Sequence, residues 1–176
     1  NYNDTADKFE TFDGKSIANW TNFSWSSKHY CTSISIPSEF TSKINSDSKN
    51  SLTTDSKIHT ITHVLVNASK ILTKSESNDI DAYYENGIIH LFDNTSDGYN
   101  GCSKMIYDNF EKIMKTCLDL VAGCDCKSES KQDTDSEEWG GCPKCTFTTN
   151  YCQTKNKKLS KKSALDFFSI MCSASQ

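Results

Sequence analysis

The chain has 176 residues, a net charge of −4 and only 35% hydrophobic residues, which is enough for one compact domain, or for two halves at 1–98 and 99–176. All nineteen basic residues are Lys; without Arg forks to read bases and phosphates, an acidic chain is not expected to bind nucleic acid. The longest unbroken apolar run is three residues, too short for a membrane span.

Seven Gly and two Pro are few for an all-β domain with many tight turns, and helix-period patterns recur along the chain. Residues 15–34 set Ile17, Trp20, Phe23, Tyr30, Cys31 and Ile34 along one side, and Pro37 marks the end of that pattern. Phe40 and Ile44 open a short second helix. Residues 55–74 carry the clearest amphipathic stripe, Ile58, Ile61, Leu65, Ala68 and Leu72. Asn78 reads as the cap of another helix, with Asp79 and Asp81 in its first turn and Ile80, Tyr84, Ile88 and Leu91 as its stripe; Gly87 interrupts it. Residues 93–101 form a loop. From Cys102 to Val121 the apolar spacing predicts one long helix stopped by Gly123. Residues 127–141 are a polar loop, and Leu159, Leu165, Phe168 and Cys172 mark a last helix. The expected fold is all-α: a disulfide-crosslinked helical bundle of five or six helices with long polar loops, in a single domain.

The nine cysteines are Cys31, Cys102, Cys117, Cys124, Cys126, Cys142, Cys145, Cys152 and Cys172, and seven of them lie between Cys102 and Cys152. Asn-x-Ser/Thr acceptors occur at Asn3, Asn19, Asn22, Asn67 and Asn94. Many cysteines beside many acceptors, in a chain that starts at Asn1 rather than Met, predict a secreted, extracellular glycoprotein held by disulfides. An odd count leaves one thiol unpaired or available for a disulfide-linked homodimer.

Within this set, Cys142-Pro-Lys-Cys145 has the redox dithiol spacing, but nothing upstream reads as a βαβ unit. Cys124, Cys126, Cys142 and Cys145 offer four ligands for one zinc. The Cys-x-Cys arm is tighter than usual for a structural site, so bridges are preferred and neither metal nor cofactor is expected. His59 and His63 stand one helical turn apart, but the Glu of a metalloprotease motif is absent at Thr60; a glycan on Asn67 would turn that face to solvent. Asp133, Asp135 and Glu137 alternate like a calcium loop but lack its Gly and final Glu. Trp139, an aromatic in a polar loop, is a candidate partner contact. Lys155, Lys157, Lys158, Lys161 and Lys162 read as a solvated helix start. No catalytic grouping emerges, and no enzyme is expected.

Two Tyr-Cys pairs, His29-Tyr30-Cys31 and the stretch from Cys145 to Tyr151-Cys152, give the chain a paired Cys-Tyr-Cys-like pattern. In this it resembles the bicycle proteins, salivary effectors that gall-forming aphids deliver into plants. The resemblance implies a secreted, non-enzymatic effector that acts on a host molecule by surface contact, possessing no catalytic residues to carry over. The alternative is a small-molecule or lipid carrier whose apolar pocket is lined by Trp20, Phe23, Tyr84, Phe110 and Phe168.

Overall fold

The computed structural model describes residues 2–3, 8–10, 16–17, 28–46, 53–76, 78–126, 142–148 and 159–173. The elements run β1 (Tyr2–Asn3), β2 (Lys8–Glu10), β3 (Ser16–Ile17), β4 (Cys31–Ser35), α1 (Ser38–Ser46), α2 (Thr54–Thr73), β5 (Ile80–Glu85), β6 (Ile88–Asp93), α3 (Cys102–Asp108), α4 (Phe110–Ala122) and α5 (Lys161–Ser173). The protein is therefore mixed α/β rather than all-α: among the described residues five helices accompany the antiparallel sheet β4-β6-β5, and β1–β3 form a separate short antiparallel ribbon. No disulfide joins the described cysteines, so the crosslinked bundle expected from the cysteine count is not what the chain builds.

The sheet takes the place of one expected helix and of the C-terminal end of another, whose residues 18–27 lie outside the described residues. In β4 the side chains alternate strictly, with Thr32 and Ile34 buried and Cys31, Ser33 and Ser35 exposed. A period of two over β-branched residues satisfies a half-buried strand, and Pro37 then opens the way to α1. The segment expected as a capped helix from Asn78 is a hairpin. Asn86 and Gly87 sit at φ 51° and 82°, the doubly left-handed turn that lets two strands close with matched twist. Gly87 does not interrupt a helix; it makes the hairpin, and its carbonyl also accepts from Ile36 N at 2.9 Å. Replacing Gly87 by Val should destabilise the protein by about 1–2 kcal/mol, the cost of a left-handed β-branched residue. A Cβ there meets nothing within 4 Å, so a urea titration would read the backbone strain alone. An unchanged midpoint would refute the assigned turn.

β6 lies in the middle of the sheet, with Ile89, Leu91 and Asp93 facing inward. Asp93 is fully buried, and its carboxylate is satisfied by three backbone donors. Oδ2 accepts from Asn100 N and Gly101 N at 2.9 Å each, and Oδ1 from Ser103 N at 2.6 Å. These donors lie at the start of α3, so a strand end supplies the anionic cap that Gly101 cannot. The single helix expected over 102–121 is two. Asn109 separates them: its backbone N–H reaches Met105 O and Ile106 O, and its own carbonyl accepts from Ile113 N in α4.

α2 runs through the centre of the molecule and packs on β5, α3, α4 and α5. Thr53 caps its start by accepting from Ser56 N at 3.2 Å, and Lys74 ends it in a left-handed conformation. Residues on nearly every side of α2 are buried, from Ile58 and Ile61 to Thr60, Thr62, His63 and Val66. Such a helix is internal rather than amphipathic on a surface. Around it the core joins Ile34, Ile80 and Leu91 of the sheet to Ile106, Ile113, Met114, Phe167 and Phe168 of the helices. Phe168 is thus packed core and Tyr84 is exposed, which does not make the expected carrier pocket; Trp20 and Phe23 lie outside the described residues.

Candidate metal centre

Two short stretches meet beside α2. The first follows α4, where Gly123 N bonds back to Asp119 O at 2.9 Å and the chain leaves the helix through Cys124, Asp125 and Cys126. The second is the turn 142–148. Here the Cys142 carbonyl accepts from Cys145 N, Thr146 N and Phe147 N at 3.0–3.3 Å, and Lys144 N points at Cys142 Sγ at 3.3 Å. Thr146 Oγ1 accepts from Cys142 N at 2.7 Å and locks the turn. Pro143 suits the first corner because its fixed φ presets the turn.

The four sulfur atoms of Cys124, Cys126, Cys142 and Cys145 all lie within 4.8 Å of one another. Cys124 Sγ is 3.7 Å from Cys142 Sγ, and Cys126 Sγ is 3.8 Å from Cys145 Sγ. A disulfide would hold its sulfurs at about 2.05 Å. Four thiolates around one zinc at about 2.3 Å stand about 3.8 Å apart along each tetrahedral edge. The Cys124–Cys142 and Cys126–Cys145 spacings match the second geometry. Chemistry agrees with it: Cys142 and Cys145 are buried, and burial followed by the crowding of the Cys142, Cys126 and Cys124 thiols pushes the Cys145 thiol far up. Four sulfurs packed this closely cannot all ionise unless a cation sits among them. The tight Cys-x-Cys arm is no obstacle, because each of its sulfurs meets a different cysteine of the second arm.

α2 grips the second arm. His63 Nδ1 lies 3.1 Å from Thr146 O, and one turn on Asn67 Nδ2 donates to Phe147 O at 2.6 Å. An acceptor that can only be a carbonyl fixes the proton of His63 on Nδ1. His63 is 4% exposed, its Nε2 has no partner, and its pKa is lowered to about 4, first by burial and then by the neighbouring His59 ring. The His59 and His63 ring centroids are 4.2 Å apart. These histidines therefore face inward, against the expectation of a solvent face. Asn67, whose amide is engaged under the turn, is likewise no free glycan acceptor. The third contact comes from α5: Lys161 Nζ donates to Cys124 O at 2.7 Å, so this lysine is half-buried against the site rather than part of a solvated start.

The remaining expected cysteines are dispersed. Cys31 is exposed on β4, Cys102 begins α3, Cys117 is fully buried on α4 and Cys172 is half-buried on α5; all are free thiols. An intermolecular bridge therefore has no support from the described thiols. Cys152, Trp139, the acceptors Asn3, Asn19 and Asn22, the acidic loop of Asp133, Asp135 and Glu137, and Lys155, Lys157 and Lys158 lie outside the described residues. Asn94 is exposed. No helix among the described residues is long and apolar enough to cross a membrane.

Residues 61–146 match the family model described as the MrfA Zn-binding domain. The match ends one residue past Cys145. It starts inside α2, at the turn before His63, and so contains all four sulfur ligands and the two side chains that hold the second arm. The chain is also similar to an uncharacterized protein of Methanocaldococcus jannaschii, 27% identical over 118 residues that cover 61% of this chain and 93% of that one. No solved structure gives a significant match. These similarities replace the resemblance to bicycle effectors, which rested on two Tyr-Cys pairs; the cysteine of the second pair's upstream end, Cys145, belongs to the four-sulfur cluster instead. The match to a zinc-binding family and the four-sulfur cluster overturn the effector and the carrier, and the absence of a disulfide among the described cysteines leaves the disulfide-bonded glycoprotein without support.

Proposed function

We propose that this chain is a structural zinc module, in which Cys124, Cys126, Cys142 and Cys145 hold one Zn²⁺ as thiolates. The closure of four sulfurs within 4.8 Å carries the reading. Zinc suits the site because it is borderline-soft, takes thiolate readily and has no competing geometric preference. With four protein ligands no position remains for water or substrate, so the ion's role is to hold chain segments together rather than to catalyse. It ties the end of α4 to the turn that His63 and Asn67 fasten to α2, closing a loop whose sulfurs are 18 residues apart in sequence. Closing such a loop removes conformational freedom from the unfolded chain, and zinc binding becomes folding free energy.

The test is elemental analysis of protein purified under reducing conditions, followed by replacement of the metal with Co²⁺. One zinc per chain and an intense sulfur-to-cobalt charge-transfer band with tetrahedral d–d absorption are expected. Absence of stoichiometric metal, or the visible absorption of an iron–sulfur cluster, would overturn the assignment.

A further inference from the structure

The zinc reading leaves one electrostatic demand open, and the following inference rests on that reading. Four thiolates around a divalent ion carry a formal charge of −2, and Cys142 and Cys145 are buried. Such a charge needs compensation by donors that face the sulfurs. One is on the second arm itself, the Lys144 N–H pointing at Cys142 Sγ. The Lys144 ammonium pairs with Asp125 at 3.5 Å, and both partners are exposed and screened by solvent. A second cation among the described residues is Lys161, the first residue of α5. It reaches the first arm, donating to Cys124 O at 2.7 Å, and its ammonium is within hydrogen-bonding reach of the Cys126 side chain.

We propose that Lys161 is a positioning residue for the metal centre: its ammonium pins the Cys124–Cys126 arm through the Cys124 carbonyl and offsets the thiolate charge on the Cys126 side. A positive charge beside a thiolate lowers the energy of its lone pairs. The sulfur is then a better-stabilised ligand at neutral pH and a weaker nucleophile toward electrophiles. Lys161 also belongs to α5, so the contact couples metal loading to the docking of that helix. α5 in turn packs on α2 and α4 and is joined to α1 by the Lys43–Asp166 ion pair at 2.9 Å.

The experiment compares the full chain with its Lys161→Met and Lys161→Arg variants. Metal content of the unaltered chain is measured first; absence of zinc there defeats the zinc reading itself, before any variant is considered. With zinc present, chelator competition should show Lys161→Met binding zinc about 10- to 100-fold more weakly. N-ethylmaleimide should release zinc faster from that variant, and the sulfur-to-cobalt band of its Co²⁺ form should shift to longer wavelength. Lys161→Arg keeps the charge and should restore affinity, release rate and band position to within about threefold or a few nanometres of the original. Should Lys161→Met fold poorly, the Lys161→Arg comparison together with the salt dependence of zinc release from the unaltered chain still decides. Equal affinities and release rates for the Met variant, or an Arg variant as impaired as Met, would overturn the proposal.

Discussion

Replacing Cys142 and Cys145 together by Ser is expected to abolish stoichiometric zinc binding and to lower the thermal midpoint by on the order of 10 °C. An ion that binds only the folded chain stabilises it by RT ln(1 + [Zn]/Kd), about 4 kcal/mol when free zinc stands a thousandfold above Kd. For a chain of this length each kcal/mol moves the midpoint by about 2–4 °C. The effect should be concentrated where the ion acts. The turn 142–148 has its own backbone hydrogen bonds around the Cys142 carbonyl, but its attachment to the 124–126 arm runs through the sulfurs and the exposed Lys144–Asp125 pair. Without the ion, that attachment is a contact among four crowded thiols. Serine hydroxyls buried at 142 and 145 add a cost of their own, so the comparison needs a second arm. A strong chelator should lower the midpoint of the unaltered chain by a similar amount and leave the double variant unmoved. A chelator-insensitive midpoint in the unaltered chain would remove the metal from the account of its stability.

The helical interior is largely legible in the amino-acid pattern. The stripe from Ile58 to Leu72 places α2 to within a residue at each end, because a central helix still repeats its apolar residues at three and four. What the stripe does not reveal is that the polar positions between them, Thr60, Thr62 and His63, are buried as well. Thr60 and Thr62 return their hydroxyls to the carbonyls of Ser56 and Ile58, so they enter the core already satisfied. The hairpin is masked although its signal is present. Asn86-Gly87 between two apolar-alternating runs is a turn signature with a mechanism, yet Ile80, Tyr84, Ile88 and Leu91 also fit a helical period over so short a stretch. The metal centre is visible as a set of four residues, and what argues against it is the narrow Cys-x-Cys arm together with five other cysteines in a chain that reads as secreted. Spacing within one arm constrains a site only when both sulfurs must come from one turn. Here the end of α4 and the 142–148 turn converge, and that convergence depends on tertiary packing against α2. The Asn67 acceptor misleads in the same way: its sequence context is that of a glycan site, while its amide holds the Phe147 carbonyl.

The second large effect expected is a loss of stability in mild acid that traces to His63. Its folded pKa lies near 4, against 6.5 for an ordinary histidine, because burial and the His59 ring disfavour the charged form. The folded chain therefore stays unprotonated at this site while the unfolded chain takes up a proton. Stability is fully present above pH 6.5 and falls as the pH drops from 6.5 toward 4, below which the loss levels off. Over that window the difference amounts to at most roughly 3 kcal/mol for this one residue. Protons also compete with zinc for the four thiolates in the same direction, so the histidine has to be isolated by difference. In His63→Asn the amide nitrogen stands near the place of Nδ1 and can donate to Thr146 O without titrating. Its stability at neutral pH should be lower because part of the ring volume is lost. Measured in saturating zinc, its denaturant midpoint should decline less steeply between pH 6.5 and 4 than that of the unaltered chain, by up to one proton in slope. Zinc competition and most of the contribution of His59 are common to both chains and drop out of the comparison. Parallel curves would mean that His63 is reachable by protons in the folded state, and that the grip of α2 on the cysteine turn does not depend on a neutral imidazole.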